Sequence, residues 1–244
     1  MKIIAIANQK GGTAKTTTTA AMGVLLSRCG TPVHLVDMDP QASLTRAFGR
    51  HDSSDRLYQS LTDRASLPVD RLAPYLTISP SSIELTRAET ELLAEPGREY
   101  FLRTCLERTQ LPENTLVLFD CPPSLGILAV NCLAAAGGLL TVVQPGGFEL
   151  HALVHLQMTV RVIQDRIQPD LHVLGAIITN AHRRRAITEQ VAAEVSRVSP
   201  VLGIVRSDAS LLYATTAGTI LGLSRSRAMD DYARVAKRLS DEVL

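Results

Sequence analysis

The residues best suited to chemistry stand in the run Asn8-Gln9-Lys10-Gly11-Gly12-Thr13-Ala14-Lys15-Thr16-Thr17, between a strand-like KIIAIA segment and a helical pattern. Glycines permit a tight loop whose successive N–H groups point inward, an arrangement that holds phosphate oxygens. The positive end of the following helix strengthens that field. Lys15 is placed to reach terminal phosphates, and the Thr16 hydroxyl to coordinate Mg²⁺. Two further runs supply carboxylates. Val36-Asp37-Met38-Asp39-Pro40-Gln41 closes a second strand, and Asp37 and Asp39 lie two apart on extended chain, so both project to one side. A carboxylate there can hold a metal-bound water or orient an attacking one, although an isolated Asp-x-Asp is as readily an ordinary loop pair. Leu116-Val117-Leu118-Phe119-Asp120 is an apolar strand ending in a carboxylate, the form in which an aspartate holds Mg²⁺ through water. The three runs, in this order, point to a nucleoside triphosphate with Mg²⁺.

Such residues need a scaffold that gathers the ends of strands. Strand-like runs fall at 2–7, 33–37, 76–79, 116–120, 139–143, 173–179 and 201–205. Helical patterns fall at 16–29, 84–93, 100–108, 125–136, 150–167, 187–198 and 228–243. This alternation predicts an α/β fold, a mostly parallel twisted sheet flanked by helices on both faces. In such sheets ligands sit at the carboxyl ends of strands, where all three runs end. No linker-like composition break divides the chain, so residues 1–244 read as one domain.

Bulk properties agree. Hydrophobic residues make up 45% of the chain and Trp is absent, so the core should be aliphatic. The net charge of +1 neither demands nor excludes an anionic partner. Cys29, Cys105, Cys121 and Cys132 lack metal-ligand spacing and read as buried free thiols in a reducing cytoplasm. No signal peptide opens the sequence. The apolar stretch 127–143 is interrupted by Asn131 and by Gly137-Gly138, and reads as helix, turn and strand, not as a membrane span. His151 and His155 have the i,i+4 spacing of a metal pair but lack a third ligand, so they read as surface or packing residues.

The run KGGTAKTT resembles the deviant Walker A box of the ParA/MinD superfamily of ATPases. The resemblance implies ATP bound by Lys10, Gly11, Gly12, Thr13, Ala14, Lys15, Thr16 and Thr17. It also implies that Lys10 reaches across an ATP-bound homodimer to phosphates held by the partner chain. The family usually has Gly where this sequence has Ala14. Asp37-Met38-Asp39-Pro40-Gln41 resembles the ParA switch I, implying that Asp39 positions the hydrolytic water while Asp37 supports the metal with Thr16 and Asp120. Asp120-Cys121-Pro122-Pro123-Ser124-Leu125-Gly126 is close to the ParA switch II, and its Pro-Pro pair sets it apart from MinD. By the same resemblance Asn180 contacts adenine, assisted by the backbone of Val205 and Arg206. The sequence lacks the Asn-Lys-x-Asp run of a guanine pocket after Asn180, so ATP is favoured over GTP. It departs from the family at Pro145-Gly146-Gly147, and no Pro follows Arg206 before Leu212.

Short ParA-type proteins bind non-specific DNA and position a cargo, and a ParB-like adaptor stimulates their hydrolysis. The matching surface here would include Arg183, Arg184, Arg185, Arg206, Arg225 and Arg227. Residues 180–244 hold ten Lys and Arg against seven Asp and Glu, a modest excess that a solvated face would also show. The expected location is cytoplasmic, with nucleoid association in the ATP state. Two other classes stay open. A MinD-like membrane-cycling ATPase would need an amphipathic tail. Residues 228–243 do place Ala228, Tyr232, Val235, Leu239 and Val243 on one face, but that face is narrow and the sequence ends Asp241-Glu242-Val243-Leu244, so docking on the core and no membrane partner are expected. A cluster-bearing reductase would need cysteines at a dimer axis, which the spacing of Cys121 and Cys132 does not provide.

Overall fold

The computed structural model describes residues 1–244 except 52–54, 147–148, 182–184, 224 and 244, together with the side chains of 149–152, 185, 242 and 243. In chain order the elements are β1 (Lys2–Ala7), α1 (Lys15–Arg28), β2 (Val33–Asp37), α2 (Ser43–Ala47), α3 (Arg56–Asp63), β3 (Asp70–Ala73), β4 (Leu76–Ser79), α4 (Leu85–Glu91), α5 (Phe101–Arg108) and β5 (Leu116–Asp120). There follow α6 (Ile127–Ala135), β6 (Gly138–Val143), α7 (Glu149–Arg166), β7 (His172–Ala181), α8 (Arg185–Val195), β8 (Val201–Arg206), α9 (Ala209–Thr216) and α10 (Arg227–Val243).

The strands form one sheet in the order β3-β4-β2-β5-β1-β6-β7-β8. Every neighbouring pair is parallel except β3 with β4, a short antiparallel edge pair. The expected fold class is therefore the observed one. Strands buried on both faces carry continuous apolar runs, which is why β2, β5 and β6 were legible. Alternate residues serve opposite faces. Ile4 and Ile6 of β1 pack with Met22 of α1 and Tyr232 and Leu239 of α10. Ala5 and Ala7 pack on the other side with Phe101 of α5, Leu128 of α6 and Leu156 of α7.

The structure departs from the sequence reading in its smaller elements and at one cysteine. The edge strand β3 and the helices α2, α3 and α9 were not anticipated. The helix expected at 84–93 stops at Glu91, and Leu92–Ala94 tightens into a 3₁₀ turn. Cys29, expected to be buried, is exposed, because it caps α1 where the chain turns outward; Cys105, Cys121 and Cys132 are buried as expected. His155 is exposed, while the His151 side chain lies outside the described residues.

The apolar face of α10 is docked. Ala228, Tyr232, Val235 and Leu239 are each 1% exposed, and the Tyr232 hydroxyl hydrogen-bonds Thr18 of α1 at 2.8 Å. Burial of each large side chain is worth about 1.5–3 kcal/mol, so this face is not available to a bilayer unless the helix undocks. Among the described residues no helix is long and apolar enough to cross a membrane.

His34 of β2 is fully buried, with Nδ1 on Thr77 Oγ1 at 2.8 Å and Nε2 on Ser79 Oγ at 2.9 Å, so β2 and β4 are joined by side chains as well as backbone. Burial lowers its pKa from 6.5 to about 4. Because the unfolded chain takes up the proton first, stability from this group is complete above pH 6.5 and falls as pH drops towards 4, by about 3 kcal/mol in all. The stability advantage of wild type over His34→Gln, measured by urea unfolding, is therefore expected to shrink by that order between pH 7 and pH 4. A pH-independent difference would mean that the imidazole is not held neutral.

Candidate nucleotide-binding site

Parallel pairing brings the motif residues together. Register places Ile6 and Asp37 both opposite Asp120, so β1, β2 and β5 end level with one another. A cleft of about 670 Å³ opens there, lined by Gly11–Thr17, Asp39, Asn180, Val205 and Arg206 among others. All the expected nucleotide residues line it except Lys10, which is exposed immediately before the loop.

The loop is shaped by its backbone. Gly12 has φ +74, and a Cβ added at Gly11 or Gly12 would meet nothing within 4 Å, so the space beside the loop is open. Ala14 also adopts a left-handed conformation, φ +68. That explains the glycine usual in the family, since a side chain there costs about 1–2 kcal/mol. Asn180 (φ +50), which also lines the cleft, and Ala42 (φ +51), next to the lining residue Ser43, are strained in the same way. Asn8 braces the loop, accepting from the Lys10 amide and donating to the Val142 carbonyl. Thr179 Oγ1 donates to the Thr13 carbonyl at 2.8 Å and so ties β7 to the loop.

Lys15 is buried, and its Nζ donates to the Lys10 carbonyl at 3.2 Å. Burial lowers its pKa, opposed chiefly by Asp120. Asp120 is 1% exposed; it accepts from Thr16 Oγ1 at 2.7 Å and Thr19 Oγ1 at 3.3 Å. Burial, with the neighbouring Asp37 second, pushes its carboxyl well above the ordinary range. The Asp120 carboxylate and the Thr16 hydroxyl, with the Asp37 charge adjacent, offer hard oxygen donors that suit Mg²⁺. Among the described residues no group of three or more metal-ligating side chains occurs.

Asp37 is engaged by the loop that follows β2. Its Oδ2 accepts from the Thr45 amide at 2.8 Å and the Thr45 hydroxyl at 2.7 Å, and its Oδ1 from the Asp39 amide at 3.3 Å. Both oxygens thus accept bonds that fix the loop, and the carboxylate lies opposite Asp120 in the β2–β5 register. Burial raises its pKa to about 6. Asp39 is held by this loop: its Oδ1 accepts from the Gln41 amide at 2.9 Å, and its carbonyl from Ser81 Oγ at 2.7 Å. Thr45, Ser81 and Thr179 were not singled out from sequence, because each acts through contacts distant along the chain.

Arg206 is fastened by Asp231, which accepts from its Nε at 2.8 Å, Nη2 at 2.9 Å and backbone amide at 3.0 Å. Although burial works the other way, these bonds hold the Asp231 carboxyl below its usual range. The pairing keeps the Val205–Arg206 backbone at the cleft and neutralises the charge that a DNA contact would use. Arg225 and Arg227 are exposed nearby, with the Arg227 carbonyl accepting from Arg206 Nη2 at 3.3 Å. Arg183 and Arg184 lie outside the described residues, as does the side chain of Arg185.

A family model described as an AAA domain matches residues 1–173. Chromosome partitioning protein ParA of Caulobacter vibrioides is 37% identical over 202 residues, covering 80% of this chain and 75% of its own. Sporulation initiation inhibitor protein Soj of Bacillus subtilis is 34% identical over 250 residues, covering 98% of each chain. The chain belongs to the ParA/Soj family of deviant Walker A ATPases. A solved structure of cobyrinic acid a,c-diamide synthase from Mycobacterium smegmatis, with ADP and magnesium bound, is 30% identical; it covers 99% of this chain and 96% of its own at a TM-score of 0.85. The apo McdA structure from Cyanothece, at 22% identity and a TM-score of 0.84, shares the fold. Family membership accounts for the order of the three motifs and for a cleft built at strand ends.

Proposed function

We propose that this ParA/Soj-family chain hydrolyses ATP as an ATP-dependent homodimer, binds non-specific DNA in that state, and partitions or positions a cargo under stimulation by a ParB-like adaptor. The observation that carries this reading is the convergence of Lys15, Thr16 and Asp39 on one cleft, with the buried Asp120 hydrogen-bonded to Thr16 beneath it and Lys10 exposed beside it. Thr16 and Asp120 hold Mg²⁺ in this reading, with Asp37 beside them; bound Mg²⁺ supplies positive charge to the phosphate oxygens. Lys15 and the loop amides bind the terminal phosphates. Asp39 orients the attacking water, Asn180 with the Val205–Arg206 backbone holds adenine, and Lys10 reaches the partner's nucleotide. Arg183, Arg184, Arg185, Arg225 and Arg227 form the DNA face, with Arg206 the weakest member because Asp231 neutralises it. The chain would work in the cytoplasm, on the nucleoid when ATP-bound.

Counterion release makes such DNA binding steeply salt-dependent and nearly independent of sequence, and dimerisation aligns two arginine sets. Random duplex DNA is expected to shift with wild type in ATP but not in ADP, and the affinity should drop as salt rises. Asp39→Ala should slow hydrolysis by about 100-fold while prolonging the DNA-bound state, because its role concerns only the water. An ATP dimer that fails to shift random DNA even at low salt would overturn the DNA reading, and unchanged turnover in Asp39→Ala would move the water-positioning role to another residue.

A further inference from the structure

We propose that Arg46 contacts the phosphate oxygens of the nucleoside di- or triphosphate in this cleft, an inference that rests on the nucleotide reading of the site. Arg46 and Ser43 lie three apart on α2, and both line the cleft with Thr16, Thr17 and Asp39. Of the two arginines that line it among the described residues, Arg206 is neutralised by Asp231. Arg46 is exposed and has no carboxylate within ion-pair distance among the described residues; Nη2 donates one long hydrogen bond, 3.4 Å, to Ser43 Oγ.

The platform beneath Arg46 is rigid. Leu44 and Ala47 are fully buried, and Thr45 is bound to Asp37. The Arg46 carbonyl presses against Gly218, where an added Cβ would lie 2.8 Å away, so α2 is clamped to the turn after α9. The guanidinium therefore has a fixed origin beside the phosphate loop. Electrostatics calls for it there. Asp39 lines the cleft, Asp120 lies buried beneath it on the lining residue Thr16 with Asp37 opposite, and Lys15 is the one lysine lining the cleft among the described residues. A polyphosphate entering beside those carboxylates needs further positive charge, and a planar guanidinium can bind two phosphate oxygens at once. Both diphosphate and triphosphate would feel this contact.

The test compares wild type, Arg46→Ala and Arg46→Lys for binding of MgATP, MgADP and adenosine by calorimetry, with ATP-dependent dimerisation measured by light scattering. Arg46→Ala is expected to weaken MgATP and MgADP about 10- to 30-fold and adenosine less than about twofold, with Arg46→Lys recovering part of the loss. Unchanged ATP and ADP affinity in Arg46→Ala would overturn the proposal, and lost dimerisation at unchanged affinity would do so by assigning Arg46 to the partner chain. An equal loss for adenosine would also overturn it, since the contact would then be to sugar or base. If wild type itself fails to bind MgATP, the nucleotide reading falls together with this one, an outcome distinct from failure of Arg46 alone.

Discussion

Replacing Lys15 by alanine is expected to weaken ATP binding by about 100-fold or more. The ammonium lies buried at the phosphate loop beside Asp120, and its removal leaves the carboxylates of the site facing the incoming phosphates. Truncating one member of a buried, hydrogen-bonded charge pair typically costs about 2–5 kcal/mol, and about 1.4 kcal/mol is tenfold in affinity. Lys10 stands outside the lining of the cleft and cannot substitute without moving the loop. Titration of the variant with ATP, beside a thermal melt that verifies the fold, checks the result. Near-wild-type affinity would show that the phosphates bind elsewhere.

Lys10→Ala should give a contrasting phenotype. The loop uses the backbone of Lys10: its carbonyl accepts from Lys15 Nζ and Thr13 Oγ1, and its amide donates to Asn8. Loss of the side chain leaves those bonds in place, so ATP affinity of a single chain is expected to change less than about threefold, within the small range of exposed charge contacts. The proposed role of the ammonium lies across the dimer. ATP-dependent dimerisation and turnover should therefore fall together, turnover by about 100-fold, a loss of about 2.7 kcal/mol in transition-state stabilisation. Light scattering with ATP and phosphate release under the same conditions give the two readouts. A variant that dimerises and hydrolyses normally would remove Lys10 from the mechanism.

These contrasting outcomes reflect which parts of the site are local in sequence. Lys10 to Ala14 form one continuous loop from β1 into α1, which opens on Lys15-Thr16-Thr17, and a phosphate-binding loop is defined by that local spacing, so the sequence exposed it. Asp37, Asp39 and Asp120 were legible because each closes an apolar run at a strand end. Parallel strands buried on both faces leave an uninterrupted apolar signature, and so the sheet could be anticipated in outline.

Strand order and cross-sheet contacts carry no comparable signal. Asp37 lies opposite Asp120 because β2 and β5 are neighbours, and its oxygens accept bonds from Thr45 and from the Asp39 amide that fix the loop, none of which the spacing announced. Thr179 reaches the Thr13 carbonyl across 166 residues, and Ser81 reaches the Asp39 carbonyl across 42. Arg206 read as a cationic surface residue, yet Asp231, 25 residues further on, neutralises it from α10. Arg46 had no motif around it and acquired a role only when α2 was clamped to Gly218 at the edge of the cleft. The short edge strand β3 escaped notice because its half-buried DRLA sequence lacks a continuous apolar run. By itself the sequence determined the phosphate loop, the carboxylates at strand ends and the α/β class, since these follow from local spacing and buried apolar runs. Only the tertiary structure decided which of those charges are paired, which are braced and which face the cleft, because a side chain's electrostatic role depends on neighbours that packing alone brings within reach.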